Sequence, residues 1–404
     1  MKKIKLRDFL DTYGDGIHGT PLYDEDGEFY FINGNNLQNG EVIISSETPK
    51  ISLSEYRRIY RPLGDRTILL SINGTLGNIA IYKGEKIALG KSACFLNVKE
   101  DKNLHFIKYV LSTQEFKKYI SLVAHGSTIK NLAPSQVAEY EFEVPLPEIQ
   151  DKIATTLGAL DNKIALNKKI NATLEAMAKT LYDYWFVQFD FPDENGKPYK
   201  TSGGKMIYSS ELGRDIPVGW EVKTLGDLLT ENTTLFNQQT IEPTIDLSVM
   251  PSSSIALDEL SSSEMFSTNL FKMKEGDILF GSIRPYLKKA GIAPCNGVVV
   301  GTVHSYQAKK EFDYTFALFT VCRDKFFDYA VKVSTGTRMP IIKSENLLSY
   351  KIAYSENVVR LFDMPNLKRI ICKNVQENRR LAELRDWLLP MLMNGQVKFQ
   401  GDLD

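Results

Sequence analysis

The feature that most constrains this chain is an internal repeat whose period is about half of the chain length. The segment "NKKI" at Asn167–Ile170 returns as "NRRL" at Asn378–Leu381, an offset of 211 residues. Other matches keep the same order at offsets of 210, 210 and 211, pairing "VAHGSTIKN" with "VSTGTRMPI", "AEYEF" with "LSYKI", and Ser71 of "ILLSI" with Ser282 of "LFGSI". A period this long is typical of duplicated domains rather than of a solenoid.

Each half is expected to contain a mostly-β domain followed by one long helix. Short alternating runs such as "EFYFI", "TILLSI" and "GDILFGSI", broken by Gly and Asn turns, are typical of strands. The sequence therefore predicts an α+β fold of two tandem-repeated mostly-β domains joined by two long helices. The predicted boundaries are 1–147 for the first domain, 148–190 for the central helix, 191–218 for a linker, 219–362 for the second domain, 363–395 for the C-terminal helix and 396–404 for a tail.

The two long helices carry apolar positions at steps of four and three, which is typical of a coiled coil. In the central helix these positions are Ile153, Leu157, Leu160, Ile164, Asn167, Ile170, Leu174, Met177 and Leu181. In the C-terminal helix they are Leu367, Ile371, Val375, Asn378, Leu381, Leu384, Leu388 and Leu392.

We predict that these helices pack as an antiparallel coiled coil with pseudo-twofold symmetry. Residues 149–186 alone would extend roughly 57 Å at ~1.5 Å per residue, longer than a domain of this size needs. The alternative is that each apolar stripe packs only on its own β domain. Asn167 and Asn378 occupy matching seam positions, and we predict that they fix the register of the helix pair.

Two apparent nucleotide-binding motifs fail in context, so no catalytic, cofactor-binding or metal residue is predicted. "GDGIHG" fits GxGxxG, but "LRDFLDTY" before it looks like a short helix rather than the required strand. "GEKIALGKSA" has one residue too many between its glycines for a P-loop, and "KIALGKSACFLNV" is better interpreted as a strand with a bulge.

Charge and hydropathy narrow the class of protein further. The 49 Lys and Arg against 50 Asp and Glu give a net charge of −1, which argues against a polycation but allows one local basic face. The chain has no apolar run of the roughly 18 residues that would span a membrane. "MKKIKLRDFL" lacks the features of a signal peptide, so we expect a cytoplasmic protein.

Three segments resemble the specificity (S) subunits of type I restriction–modification enzymes: "VPLPEIQDKIATTLGALDNKIALNKKINATLEAMAKTLYDYWFVQFDFP", "IPVGWEVKTLGDLL" and "NRRLAELRDWLLPMLMNGQVKF". The resemblance extends over essentially the whole chain. Two departures are the abrupt start at "KIKLRDFL", without the Gly-Trp entry of the second half, and "MPNLKRI" in place of the helix opening "PLPEIQ".

The resemblance implies a non-catalytic reader of double-stranded DNA with two target-recognition domains. Each domain would read one half of a bipartite asymmetric site, and the helix pair would set the unread gap. Adenine methylation or cleavage would be performed by partners. These are two modification (methyltransferase) subunits that dock on the helices and bind S-adenosylmethionine and, in complexes that also cleave DNA, two restriction (translocase/nuclease) subunits that use ATP and Mg²⁺.

Candidate DNA-binding residues lie in Gly-containing loops and in the basic, aromatic segment "EYRRIYR", because Lys and Arg bind phosphates while polar side chains read base edges. In the first domain they are Arg57, Arg58, Asn73, Thr75 and Lys130. In the second domain they are Arg284, Lys288, Lys289, Arg338 and Lys343. Each could instead be an ordinary solvated residue. The alternatives for the whole chain are a stand-alone methyltransferase or nuclease, and an adaptor that binds protein rather than DNA.

Overall fold

The chain folds into two compact units that share both long helices. A computed structural model of the chain describes residues 2–38, 40–126, 130–237, 240–397 and 399. Unit 1 comprises Met1–Asp161 and Glu383–Asp404, and unit 2 comprises Asn162–Ala382. Each long helix therefore contributes one segment to each unit.

Unit 1 is built on two main sheets. The four-stranded antiparallel sheet has the strand order Leu10–Asp15, Ala93–Val98, Thr67–Ser71, Ile79–Ile81. The three-stranded sheet has the order Lys50–Ile51, Phe29–Ile32, Ile87–Leu89, with the last two strands parallel. Two further pairs are Lys2–Lys5 with Glu141–Val144 and Leu37–Gln38 with Glu41–Val42. The helices are Leu53–Arg58, Leu104–Ser112, Gln114–Val123 and Pro134–Ala138, with 3₁₀ turns at Leu6–Phe9 and Gly34–Asn36.

Unit 2 repeats this plan. Its antiparallel sheet has the order Leu229–Glu231, Val303–Ala308, Ile278–Gly281, Ala290–Ile292. Its second sheet has the order Ser261–Ser262, Pro243–Ile245, Gly297–Val300, Leu270–Met273, in which the two middle strands are parallel. Two strand pairs are Glu221–Thr224 with Lys351–Tyr354 and Met206–Ser209 with Arg214–Pro217. The helices are Leu225–Leu228, Tyr314–Val321, Asp324–Val333, Ser344–Leu348 and Glu356–Phe362, with 3₁₀ turns at Ser263–Met265, Pro285–Leu287 and Glu311–Asp313.

The matching strand orders confirm the predicted α+β fold with two duplicated domains. The strand register also corrects one of the sequence matches. Ser71 pairs with Ala93, and the equivalent pair in unit 2 is Gly281 with Val303. Gly281 therefore occupies the place of Ser71, and Ser282 occupies the place of Ile72. The loop that follows this strand is one residue longer in unit 2 than in unit 1. The strands after it, Ile79–Ile81 and Ala290–Ile292, are therefore again 211 residues apart.

The central helix spans Pro147–Tyr182 and continues as a π-helical turn at Asp183–Val187, and the C-terminal helix spans Pro365–Met393. Within unit 2 the two helices run antiparallel, because Asn167 contacts Asn378 while Asn171 contacts Asn374. Within unit 1 the same two helices meet at Asp161 and Arg385. The predicted antiparallel pair is therefore confirmed.

Part of the predicted seam is wrong. Ile170 and Met177 on the central helix and Leu384 on the C-terminal helix are exposed. Asn171, Ala178 and Tyr182 are buried on the central helix instead, and Asn374 is buried on the C-terminal helix. The central helix follows this other stripe because Tyr182 packs into an aromatic cluster of unit 2, with its ring centroid 5.6 Å from that of Phe316.

Two local predictions near the rejected motifs are also wrong. The expected helix in "LRDFLDTY" is only the 3₁₀ turn Leu6–Phe9, and strand Leu10–Asp15 follows it directly. The expected bulged strand in "KIALGKSACFLNV" is two strands, Ile87–Leu89 and Ala93–Val98, which belong to different sheets. Among the described residues, no helix is both long enough and apolar enough to cross a bilayer.

Candidate nucleic-acid interface

In unit 1, the loop after strand Thr67–Ser71 is joined to the loop before helix Pro134–Ala138 by backbone hydrogen bonds. The amide of Gly74 donates to the carbonyl of Lys130 at 3.2 Å, and the amide of Leu132 donates to the carbonyl of Ile72 at 2.9 Å. The second loop is closed by reciprocal bonds between His125 and Asn131 at 2.9 and 2.7 Å. Residues 127–129, at the centre of the predicted segment "HGSTIKN", lie outside the described residues.

The same bonds recur in unit 2, where one backbone amide of each loop again donates to a carbonyl of the other loop. The amide of Arg284 donates to the carbonyl of Pro340 at 2.8 Å, and the amide of Ile342 donates to the carbonyl of Ser282 at 2.9 Å. Thr335 and Ile341 close the second loop with reciprocal bonds of 2.9 Å each. Each unit therefore presents two loops whose described residues are held in one arrangement, which we call the paired loops: residues 72–78 with 125–126 and 130–132 in unit 1, and 282–289 with 335–342 in unit 2.

A matching support lies beneath both sets of paired loops. The hydroxyl of Tyr119 donates to the carbonyl of Gln136 at 2.8 Å, and in unit 2 the hydroxyl of Tyr329 donates to the carbonyl of Asn346 at the same distance. The side-chain amides of Gln136 and Asn346 in turn donate to the carbonyls of Val123 and Val333, at 2.8 and 3.4 Å. This side-chain repeat fixes the base of the second loop in each unit.

In unit 2 the paired loops have one additional anchor, His304. Its Nδ1 lies 2.8 Å from Oε1 of Glu231, and its Nε2 lies 3.2 Å from the carbonyl oxygen of Ile342. Burial by itself would raise the pKa of Glu231, but hydrogen bonds from His304 and Ser344 outweigh it and the pKa lies below its ordinary value. His304 therefore ties the second loop to the four-stranded sheet.

Some of the predicted DNA-binding residues present free side chains. Arg284 and Arg338 lie in the paired loops of unit 2, Lys343 follows directly, and Thr75 lies in those of unit 1; all four side chains are exposed. None of the three cations makes an ion pair within the described parts of the chain. Arg57 is also exposed, but it lies on helix Leu53–Arg58 and not in the paired loops.

The other predicted residues contact their own unit. Arg58 forms two hydrogen bonds, of 2.6 and 2.7 Å, with the buried carboxylate of Glu55. Lys288 forms an ion pair of 2.7 Å with Asp324, and Lys289 donates to the carbonyl of Leu247. In unit 1, Asn73 donates to Asn131 at 3.2 Å and Lys130 donates to the carbonyl of Ser121 at 3.3 Å. A role of these residues in DNA binding stays a prediction.

Sequence reasoning missed the apolar side chains of the same loops. Tyr286 is 53% exposed, Met339 51% and Ile341 42%, so the paired loops of unit 2 present aromatic and aliphatic groups beside their cations. The Pro-Tyr pair within "SIRPYLKKAG" was a usable signal, because Pro285 begins the 3₁₀ turn that projects Tyr286. Tyrosine and aliphatic groups can contact thymine methyls and sugars in a DNA groove.

The chain is similar to known proteins over most of its length. Residues 1–176 match the family model described as type I restriction modification DNA specificity domain. The MjaIX specificity subunit of Methanocaldococcus jannaschii, a type I restriction enzyme subunit, is 28% identical, with 98% of this chain and 93% of the relative covered. The HindI specificity subunit of Haemophilus influenzae is 23% identical, with 76% and 81% covered.

A solved structure shows the same fold. The crystal structure of the type I restriction–modification S subunit from M. genitalium has a TM-score of 0.51 and 18% identity, and the match covers 97% of this chain and 95% of the other. This likeness supports the fold described above, with two repeated domains and two long helices. Over nearly its whole length the chain is thus similar to a specificity subunit of a type I restriction enzyme, and residues 1–176 match the DNA specificity domain of type I restriction–modification systems.

Proposed function

We propose that this chain recognises a bipartite, asymmetric sequence in double-stranded DNA, with one half-site read by the paired loops of each unit. The observation that supports this most directly is that two loops are joined by equivalent backbone bonds in both units, Gly74 to Lys130 and Arg284 to Pro340. A rigid loop pair can hold side chains against base edges with little loss of conformational entropy on binding.

The side chains on this shared framework differ, which supports an asymmetric site. Unit 2 presents Arg284, Tyr286 and Arg338 on its paired loops, whereas unit 1 presents Asn73 and Thr75. Because bases are distinguished by hydrogen-bonding pattern and by the thymine methyl, different side chains on equivalent loops should select different base pairs. Exposed cations such as Lys343 would contact the phosphates and hold the protein in place on the duplex.

The chemistry would be performed by partner subunits. We propose that two modification subunits bring S-adenosylmethionine and methylate adenine, and that restriction subunits using ATP and Mg²⁺, where they are present, join them to cleave unmodified DNA. Both the DNA and these partners would be found in the cytoplasm, which we therefore propose as the site of action.

The central helix offers a surface for such a partner. Leu166, Ile170 and Met177 are 52%, 37% and 66% exposed, respectively, and their spacing of four and seven residues puts them on one helix face. Apolar residues grouped on an exposed face mark protein-interaction surfaces more often than scattered ones do. We propose that this apolar stripe takes part in docking a modification subunit.

We further propose that the helix pair sets the length of the unread gap. The central helix is one continuous element of 36 residues, or roughly 54 Å at ~1.5 Å per residue. Inserting one heptad into both long helices adds about 10 Å, which corresponds to about three base pairs of ~3.4 Å. The recognised site should then keep both half-sites but gain a longer gap. A gap of unchanged length would exclude this role of the helices.

The test of the whole proposal is methylome sequencing of a host that expresses this chain together with its modification subunit. We expect one bipartite adenine-methylated motif that disappears when the gene for this chain is deleted. A host with the modification subunit present and no such motif would favour the adaptor alternative. S-adenosylmethionine crosslinking to the purified chain alone would favour the stand-alone enzyme.

A further inference from the structure

Gly74 and Arg284 occupy the same position in the paired loops of their units. Each donates its backbone amide to the second loop, Gly74 to Lys130 at 3.2 Å and Arg284 to Pro340 at 2.8 Å. Both also have a left-handed backbone, with φ of 74° for Gly74 and 51° for Arg284. The scaffold therefore imposes one backbone conformation at this point, and the two units fill it with different residues.

Glycine is the residue expected in this conformation. A side chain in the left-handed region brings Cβ close to the following carbonyl oxygen, whereas glycine has no Cβ and adopts the region freely. Arg284 thus keeps a strained backbone where the equivalent residue of unit 1 avoids the strain. Non-glycine residues held in such regions cluster at functional sites, where the surrounding structure maintains them.

The side chain of Arg284 has no structural role that would explain its retention. It is exposed, and it makes no hydrogen bond or ion pair with the part of the chain that the structure describes. Lys288 provides a contrast within the same loop, since it is also left-handed, at φ 52°, but its ammonium group pairs with Asp324 at 2.7 Å. The free guanidinium of Arg284 therefore points to a partner outside this chain.

The position is also well suited to aim a side chain. Arg284 is fixed on one side by its bond to Pro340 and on the other by Pro285, which begins a 3₁₀ turn and restricts the backbone. A phosphate needs only a nearby positive charge, which any exposed lysine can supply without backbone strain. A base edge needs donors in a fixed direction, and the guanidinium fork matches O6 and N7 of guanine in the major groove.

We propose that Arg284 reads a guanine in the half-site of unit 2, and that Gly74 leaves the corresponding position of the other half-site without an arginine contact. This inference rests on the proposed function of the paired loops. It assigns to one half-site a G·C pair whose recognition depends on a single side chain. It also gives a physical origin for part of the asymmetry between the half-sites.

The test compares Arg284→Gly and Arg284→Lys with the natural chain in a host that also carries the modification subunit. Methylome sequencing should show that in Arg284→Gly one guanine of one half-site becomes any base, while the other half-site is unchanged. The preference for guanine at that position should fall by about tenfold or more, because one bidentate pair supplies discrimination of roughly 5- to 150-fold. Arg284→Lys keeps the charge but not the fork, so it should lose the same preference.

A stability measurement distinguishes the loss of a base contact from a loss of structure. The melting temperature of the purified Arg284→Gly chain should not fall, because glycine relieves the left-handed strain and the arginine side chain holds nothing else in place. An unchanged motif in both variants would overturn the inference and leave the proposed function intact. Uniformly weaker methylation that lysine restores would show a phosphate contact and also overturn it. The absence of any motif with the natural chain would reject the proposed function itself.

Discussion

Asn167 of the central helix donates a hydrogen bond from Nδ2 to Oδ1 of Asn378 of the C-terminal helix at 3.0 Å, and both side chains are buried. One turn further, Nδ2 of Asn374 donates to Oδ1 of Asn171 at 2.8 Å. Two polar pairs thus lie in the seam of the helix pair within unit 2. Oδ1 of Asn167 and Nδ2 of Asn378 have no hydrogen-bond partner among the described residues, so the pairs are only partly satisfied.

Replacing one asparagine of the pair should destabilise the chain, whereas replacing both should not. Asn378→Leu leaves the amide of Asn167 buried with one hydrogen bond fewer, and we expect a loss of roughly 1–3 kcal/mol in the free energy of unfolding. The double variant Asn167→Leu/Asn378→Leu removes both polar groups and should be near neutral or more stable, at the expense of register specificity. Urea unfolding of the natural chain, of the single variants Asn167→Leu and Asn378→Leu, and of the double variant measures this, and losses that simply add in the double variant would show that the pair is not coupled.

Asp161 should be the main pH-dependent contact between the helices in unit 1. It accepts hydrogen bonds from the hydroxyl of Tyr109 at 2.7 Å and from Arg385 at 2.9 Å, and it also pairs with Lys108. Burial alone would raise the pKa of Asp161, but these cations and the hydroxyl outweigh it and the pKa lies below its ordinary value of 3.8. The stabilisation is therefore present above pH ~4 and is lost as the pH falls through the lower folded-state pKa. Asp161→Asn should cost roughly 1–3 kcal/mol at neutral pH, since it leaves Lys108 without its anion and Arg385 with only the exposed carboxylate of Asp386.

The control for this prediction is Asp386→Asn. Asp386 also pairs with Arg385, at 2.8 Å, but its side chain is 67% exposed, and exposed ion pairs contribute little. Urea unfolding should show a larger loss for Asp161→Asn at pH 7 than at pH 3, and a small loss for Asp386→Asn at both pH values. Equal effects of the two variants at both pH values would show that Asp161 is not the main pH-dependent contact between the helices in unit 1.

The duplicated fold could be predicted from the sequence because self-similarity at a fixed offset does not depend on knowing any contact. The helix pair could also be predicted, but not its full seam. Ile170 and Met177 form one apolar stripe, and Asn171 and Ala178 form a neighbouring one that a hydropathy pattern disfavours. Which stripe is covered depends on Tyr182 entering the aromatic cluster around Phe316, and that contact lies 134 residues away along the chain.

For the candidate interface, too, features that depend on neighbouring residues could be predicted from the sequence, whereas features that depend on distant contacts could not. The loops could be found from Gly, Pro and basic residues, which are local signals. The sequence does not show whether a cation is free of ion pairs, because its partner can lie far away along the chain. Lys288, for example, is paired with Asp324, which is 36 residues away. Arg58 and Glu55 are three residues apart and could have been recognised as a helical pair, but the burial of Glu55 comes from the fold.

Arg338 and Arg58 should therefore respond differently to truncation, although the sequence predicts DNA binding for both. Arg338→Ala removes an exposed side chain from the paired loops and should weaken DNA binding by ~1–3 kcal/mol if it reads a base, with no change in melting temperature. Arg58→Ala leaves the carboxylate of Glu55 buried without the arginine that lowers its pKa, so the melting temperature should fall. Fluorescence-anisotropy titration with duplexes that carry or lack the recognised site, together with thermal unfolding, tests both variants.

The pattern of loss identifies the kind of contact that Arg338 makes. A loss confined to the recognised duplex indicates base reading, whereas an equal loss on all duplexes and a smaller dependence on salt indicate a phosphate contact. If Arg338→Ala binds every duplex as tightly as the natural chain does, Arg338 lies outside the interface. If Arg58→Ala melts normally but binds DNA weakly, then the ion pair with Glu55 is not the main role of Arg58.

The apolar stripe of the central helix should be required for assembly and not for folding. Ile170→Lys/Met177→Lys places two charges on the face formed with Leu166, where a partner would have to bury them, and lysine is a good helix former. The melting temperature of the isolated chain should stay unchanged, because both side chains are already exposed, while co-purification of the modification subunit should be lost. Ala172→Lys is the matched control: Ala172 is also exposed, but it lies about 200° around the helix from Ile170, so the complex should survive. Retention of the modification subunit by the double variant would place the docking surface elsewhere on the chain.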